Sequence, residues 1–385
     1  SYRTDFSQVE ADEQQINLTR FSLFFPEKRQ FFLENPASFQ VGLSAVETQR
    51  RDLVPFFSRR IGLSASGQPI PVIGGLRLTG RPAGYGLGLL TMQTDSVAGV
   101  QGANYTAARV RRDVTSTTSL GGFYFGRETT GSASFNRVTG LDLRLVPTPA
   151  LEIEAFAMRS ETDGSAGDWA GRTSFRADTN AHRTRLGLVH IGDAFRHDLG
   201  FVPRRGIATL FGAYERVLRP ASTRALMREH TIGVEFDATS DDRYDRSLTR
   251  VGALTYGLQF RDGAVLNARV NSTYEHLDAP FTVGAGLRIE AGEYAFENVG
   301  IDYRSDQSSR ISGNASIEAG EYWTGSQRVT SGGLRFRLNE HVAASANLTR
   351  NVIDLPEGTF AANLARFRLD WSFTPRMFLN AFVQY

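Results

Sequence analysis

From about residue 72 onward, apolar and polar residues alternate with period two. In LTYGLQFR, Leu254, Tyr256, Leu258 and Phe260 share one face of an extended chain, and Thr255, Gly257, Gln259 and Arg261 share the other. ARFRLDWSF repeats the pattern, with Ala365, Phe367, Leu369, Trp371 and Phe373 set against Arg366, Arg368, Asp370 and Ser372. The alternation predicts nineteen strands, at 72–80, 85–94, 103–112, 115–126, 132–146, 150–160, 169–177, 183–192, 206–217, 228–239, 248–261, 264–276, 282–290, 295–305, 309–321, 328–338, 342–351, 363–373 and 377–385.

Three details separate this pattern from that of a soluble sandwich. The segments approach the ~9–11 residues of a tilted membrane-spanning strand and exceed the ~5–6 usual in soluble sheets. Ionic residues sit in mid-strand, as with Glu152 and Glu154 on the face opposite Leu151 and Ile153, which suits a water-filled lumen. Tight turns (VPTPA at 146–150, LNEHV at 338–342, FTPRM at 373–377) are expected to alternate with longer polar loops at 160–171 and 353–358. The fold class this predicts is all-β: a transmembrane antiparallel up-and-down barrel of about 18–20 strands in a bacterial outer membrane.

Composition narrows the classes further. There is no Cys, so thiolate metal sites, Cys nucleophiles and disulfides are excluded. Lys28 is the single lysine, which removes Ser-x-x-Lys acyl enzymes. A net charge of +2 with scattered Arg gives no basic stripe, so nucleic acid is not an expected partner. No run of 18 apolar residues is present for a spanning helix.

Residues 1–65 differ from the rest, 66–385. DFSQVEADEQQINLTR is acidic, and FSLFFPEKRQFFLEN packs phenylalanines around a charged centre. Pro26 is expected to open a short helix that Asn35-Pro36 closes. DFSQVEADEQQINLTRFSLFFPEKRQFFLEN at 5–35, FFSRRIG at 56–62 and GGLRLTGR at 74–81 resemble a family of bacterial envelope proteins. Their long C-terminal domain is of unknown function and usually follows a family-nine-like carbohydrate-binding module. The resemblance implies an outer-membrane barrel preceded by a glycan-binding periplasmic module, which would make the present chain a fragment, and it carries no catalytic residues across.

Candidate chemistry is therefore that of a lumen. Glu152, Glu154, Arg335, Arg337, Arg366, Arg368 and Asp370 are expected to line it and to select an anionic or polyol solute, against the plainer reading of facing charges that only neutralise one another. Glu27, Lys28, Arg29 and Glu34 are expected to seat residues 1–65 as a plug against that wall. Asp5, Glu10, Asp12 and Glu13 offer carboxylates to a hard cation, but their spacing is not that of a calcium loop and a solvated acidic edge explains them more simply. The six histidines lack metal-site spacing, and GYGLGLLTMQTD sits inside a strand pattern rather than before a helix. No cofactor and no enzyme activity are expected, with an outer-membrane hydrolase as the enzyme-class alternative. The expected partners are outer-membrane lipid and lipopolysaccharide, a glycan ligand, and envelope proteins that a plugged barrel would anchor.

Overall fold

The computed structural model describes residues 12–42, 52–64, 67–97, 99–284, 286–374 and 377–385. The alternating segments form β1 (Val72–Gly80), β2 (Tyr85–Thr94), β3 (Ala103–Asp113), β4 (Thr118–Thr129), β5 (Phe135–Thr148), β6 (Leu151–Thr162), β7 (Ser165–Asp178), β8 (His182–Ile191) and β9 (Ile207–Leu218). They continue as β10 (Met227–Asp241), β11 (Ser247–Phe260), β12 (Val265–Leu277), a short hairpin of β13 (Phe281–Val283) and β14 (Leu287–Ile289), and β15 (Gly292–Arg304). The chain ends with β16 (Ile311–Tyr322), β17 (Gly325–Arg337), β18 (Val342–Leu355), β19 (Gly358–Thr374) and β20 (Met377–Gln384). All but β13 and β14 join one 18-stranded sheet. Each strand pairs antiparallel with its sequence neighbour, β12 pairing directly with β15, and β1 and β20 are the two ends of the run.

An even number of antiparallel strands returns the chain to the end where it began, so the start of β1 and the finish of β20 lie at one end of the sheet, here called the entry end. The strand predicted at 282–290, the thirteenth of the nineteen, is a correction. Gly284 and Gly286, at φ 54° and 106°, turn the chain back on itself. The resulting hairpin leaves the sheet and buries Val283 and Ile289 with Leu277, Tyr322 and Ile353.

The loop asymmetry is also corrected. Residues 160–171 contain only a tight turn, because Asp163-Gly164 closes a two-residue hairpin with Gly164 at φ 72°. The 353–358 loop is equally short, with only 356–357 between β18 and β19. The long connections are 192–206 and 278–291, both at the entry end.

The N-terminal segment packs on one face of this sheet. Phe57 bonds through its backbone to Leu199, between β8 and β9, while Arg59 grips Asp12, whose carbonyl accepts from Gln384 on β20. In a flat sheet β9 and β20 would stand about 43 Å apart, nine steps of ~4.8 Å. Two residues of one segment cannot bridge that gap, so the sheet is curved and the segment lies on its concave side. Its helix is only Gln30–Leu33, later and shorter than expected from Pro26, and Asn35 at φ 47° ends it.

The two faces differ sharply. The convex face exposes large apolar side chains on strand after strand, among them Leu76 at 66%, Leu141 at 71%, Leu254 at 64% and Leu334 at 52%. The concave face holds the core, where Phe32, Phe39, Val41, Leu53 and Ile61 of the segment meet Phe123, Phe125, Phe156, Met158 and Val189 of the wall.

Candidate functional site: a charged concave wall beneath the N-terminal segment

The concave face changes character along its length. On β3 it runs from Ala103, Tyr105 and Ala107 at the entry end to Arg109 and Arg111 at the far end, and on β6 from Met158 and Phe156 to Glu154 and Glu152. The concave face is thus polar along only part of its length. The half under the segment is aromatic and dry, because the segment brings its own phenylalanines to it. Phe56 stacks on Phe125 at 5.4 Å and touches Phe39 at 5.4 Å, while Phe24 packs on Phe57 and Phe201.

Where the aromatics end, charges begin. Arg109 and Asp142, both buried, pair at 2.6 Å, and Arg109 also donates to the Gln40 carbonyl of the segment. Arg144 reaches Glu152 at 2.7 Å and Glu154 at 3.4 Å, and Arg176 reaches Glu152 at 3.8 Å. These residues, with Ala37, Gln40 and Gly42, line a cavity of about 380 Å³ between wall and segment. A second network runs across β8 to β10, with Arg183 at 2.9 Å from Glu229 and 3.3 Å from Glu215, and Arg219 at 2.8 Å from Glu229. Arrays of this kind present alternating donors and acceptors to a polar solute without a net field of one sign.

The predicted residues divide. Glu152 and Glu154 sit in the first network. Arg366 and Arg368 on β19 flank Glu13 of the segment, Arg368 at 3.6 Å, and Asp370 lies half-buried two residues on. Arg335 is exposed on β17, and Arg337 donates to the carbonyls of Ser308 and Gln307 in the turn before β16, so it organises a rim and not a wall. The wall residues Arg109 and Asp142, and the segment's Arg20, belong to the site without having been singled out, and Glu13, expected as a carboxylate for a cation, instead answers Arg366 and Arg368. Asp142 alternates with Leu141, exposed on the convex face, so the period that marked Glu152 marks it as well.

The charged centre of the Phe-rich stretch is wired differently from expectation. Glu27 accepts from Arg29 at 2.7 and 2.8 Å and from Ser58 at 2.6 Å, and Arg29 donates to the carbonyls of Ile61 and Ser58. Burial by itself would raise the Glu27 carboxyl, but Arg29 and Ser58 bring it below the ordinary carboxylate value. Lys28 lies 4.0 Å from Asp12. These three residues therefore tie the segment to itself. Glu34 reaches the wall, pairing with Arg77 of β1. Further anchors are Arg20 to Glu275 at 2.9 Å and the Tyr322 hydroxyl to the Leu18 carbonyl at 2.6 Å. Asp5 and Glu10 lie outside the described residues, and Asp12 is engaged by Arg59 and Lys28. Among the described residues no group of three or more His, Asp or Glu is placed to hold a metal.

The 192–206 loop clasps the segment from the entry end. Val54 and Phe201 exchange two backbone bonds of 2.9 Å, and His197, stacked on Phe125, bonds the Pro55 carbonyl. Burial depresses His197 from 6.5 to about 4, only partly offset by its bond to Pro55 and by Asp198. The sign follows directly. Between pH 6.5 and 4 the released imidazole binds a proton that the docked one does not, so docking weakens as pH falls through this window and is unaffected by pH above it. The full effect is on the order of 3 kcal/mol. Limited proteolysis should therefore cut the segment faster at pH 4.5 than at pH 7.5, and His197→Gln, which keeps a donor for Pro55 but cannot titrate, should remove most of that difference. An unchanged pH response in His197→Gln would show that another group carries it.

Residues 4–73 match a family described as a domain of unknown function (DUF5916). The match spans the segment up to the start of β1, including the residues at 5–35 and 56–62 that carry the resemblance noted above, and leaves the sheet outside it. No curated protein matches the chain.

Proposed function

We propose that this chain is a bacterial outer-membrane β-barrel whose interior is stoppered by residues 12–42 and 52–64, and that the charged concave wall at the far end receives a polar ligand such as an oligosaccharide. The observation that carries this reading is the inversion of the sheet. Its convex face exposes leucines and valines that water would not tolerate on this scale, while its concave face holds the arginines, carboxylates and a tightly packed segment.

The convex aromatics support the same reading. Tyr85, Tyr214, Tyr256, Tyr303 and Trp371 lie toward the far ends of their strands, and Trp169, Tyr274 and Tyr385 toward the entry end, as two interface belts would. From Leu266, paired with Tyr303, to Tyr274 is eight residues of β12. That is about 26 Å along the strand, or roughly 20 Å of membrane at a ~40° tilt, comparable with the ~25 Å apolar band of such barrels.

The segment's contacts with β1, β12, β16, β19 and β20 favour binding or docking over free passage, and the chain uses no covalent chemistry in this reading. Anchoring of a periplasmic module or an envelope complex is the second reading, favoured by the self-tied Glu27, Lys28 and Arg29 cluster, which holds the segment folded whether or not a ligand is present. Planar-bilayer recording tests the stopper: the full chain should insert without conducting, and steady conductance of the unmodified protein would overturn it.

A further inference from the structure

A cluster of unneutralised charge lies outside the wall just described. At the far end, the 219–226 loop and the turn after β11 are tied together by the Arg261 amide, which donates to the Leu226 carbonyl at 3.1 Å. Between them Arg219, Arg224, Arg228 and Arg261 line a cavity of about 420 Å³ with Pro220 and Met227. Arg219 is committed to Glu229 at 2.8 Å. Among the described residues, no carboxylate lies within ion-pairing range of Arg224, Arg228 or Arg261. What sets these three apart is that they converge on one cavity, and three cations there without a carboxylate among them ask for an anion.

The loop is held in shape without them. Thr223 bonds His230 at 2.9 Å, and His230 bonds the Tyr256 hydroxyl at 2.8 Å. The lip of the cavity is greasy, with Leu226 62% exposed in the loop and Ile232 51% exposed on the adjoining convex face of β10. Guanidinium groups take phosphate oxygens in pairs, and three of them suit more than one phosphate.

We propose that this cavity binds closely spaced phosphate groups, and that their source is the headgroup of a phosphorylated lipid whose acyl chains run down the convex face past Leu226 and Ile232. The lipid source rests on the membrane reading above; the phosphate chemistry does not. The test is native mass spectrometry of the full chain in detergent micelles, titrated with diphosphorylated lipid A, with phosphatidylcholine, and with inorganic pyrophosphate. Lipid A should bind in preference to phosphatidylcholine, and R224Q/R228Q/R261Q should weaken it about tenfold or more, as loss of charge-assisted bonds implies, while R81Q at the same end leaves it unchanged. Lipid A bound far more tightly than pyrophosphate assigns the source to a lipid, and equal binding assigns it to a soluble phosphate in the same site. Wild-type affinity in the triple variant overturns the site. A chain that stays monodisperse in buffer without detergent would sink the membrane reading, whereas an indifferent triple variant in micelles sinks only this proposal.

Discussion

A variant carrying Leu53→Asp and Ile61→Asp is expected to conduct ions in a planar bilayer where the unmodified chain is silent. Both side chains are fully buried between the segment and the wall, in the cluster containing Phe123, Phe125 and Phe156. Two carboxylates there are taken out of water, and the Arg29 guanidinium beside the Ile61 carbonyl is already held by Glu27, so the change costs several kcal/mol, a penalty the segment escapes by leaving. The strands keep their ladder bonds, since each pairs with its sequence neighbours and none of those pairings runs through the segment. Proteolysis at Lys28 and Arg29 reports release independently of current. Cleavage with conductance supports the stopper, and cleavage with continued silence would show that release of the segment opens no path for ions.

The second large effect is expected at Arg109 and Asp142. Arg109→Leu strands a buried carboxylate and removes a donor from the Gln40 carbonyl, and should cost about 3–5 kcal/mol of unfolding free energy. Arg109→Leu with Asp142→Leu removes the orphan as well as its partner, and should recover most of that loss. Urea titration in micelles, followed by tryptophan fluorescence, reads both. A double variant as unstable as the single would mean that the wall depends on the charges themselves and not on their mutual satisfaction.

The sheet was legible because its period is long and regular. β2 runs from Tyr85 to Thr94 as the alternation predicts, and seventeen other segments fall within a few residues of their predicted bounds. The hairpin at 281–289 escaped because its two halves keep the alternating pattern while Gly284 and Gly286 reverse the chain between them. The expected long loops failed for the opposite reason: the polar residues at 160–171 belong to strand ends, and Asp163-Gly164 was the stronger signal.

The wall was half legible. Parity marked Glu152, Glu154, Arg366 and Arg368 as concave, but it could not say that Arg366 and Arg368 answer Glu13, a pairing made by chain curvature across most of the sequence. Phe123 and Phe125 hid the dry half, because GGFYFGR is apolar at consecutive positions and its parity vanishes. The phenylalanines at 21–35 gave no direction either. Phe32 turned out buried beneath Arg29 at 4.3 Å, and Phe31 beside Arg77 at 5.2 Å, so charge and ring are stacked partners and not competing signals.

The central claim is that the convex face meets lipid and the concave face does not, and the three tryptophans measure it. Trp169 and Trp371 are 53% and 42% exposed on the convex face, whereas Trp323 is held among Phe281, Tyr294, Phe296 and Tyr322. In vesicles of brominated phosphatidylcholine, single-tryptophan variants retaining Trp169 or Trp371 should be strongly quenched and the one retaining Trp323 should not. Quenching of Trp323 alone, or of none of the three, would contradict the account.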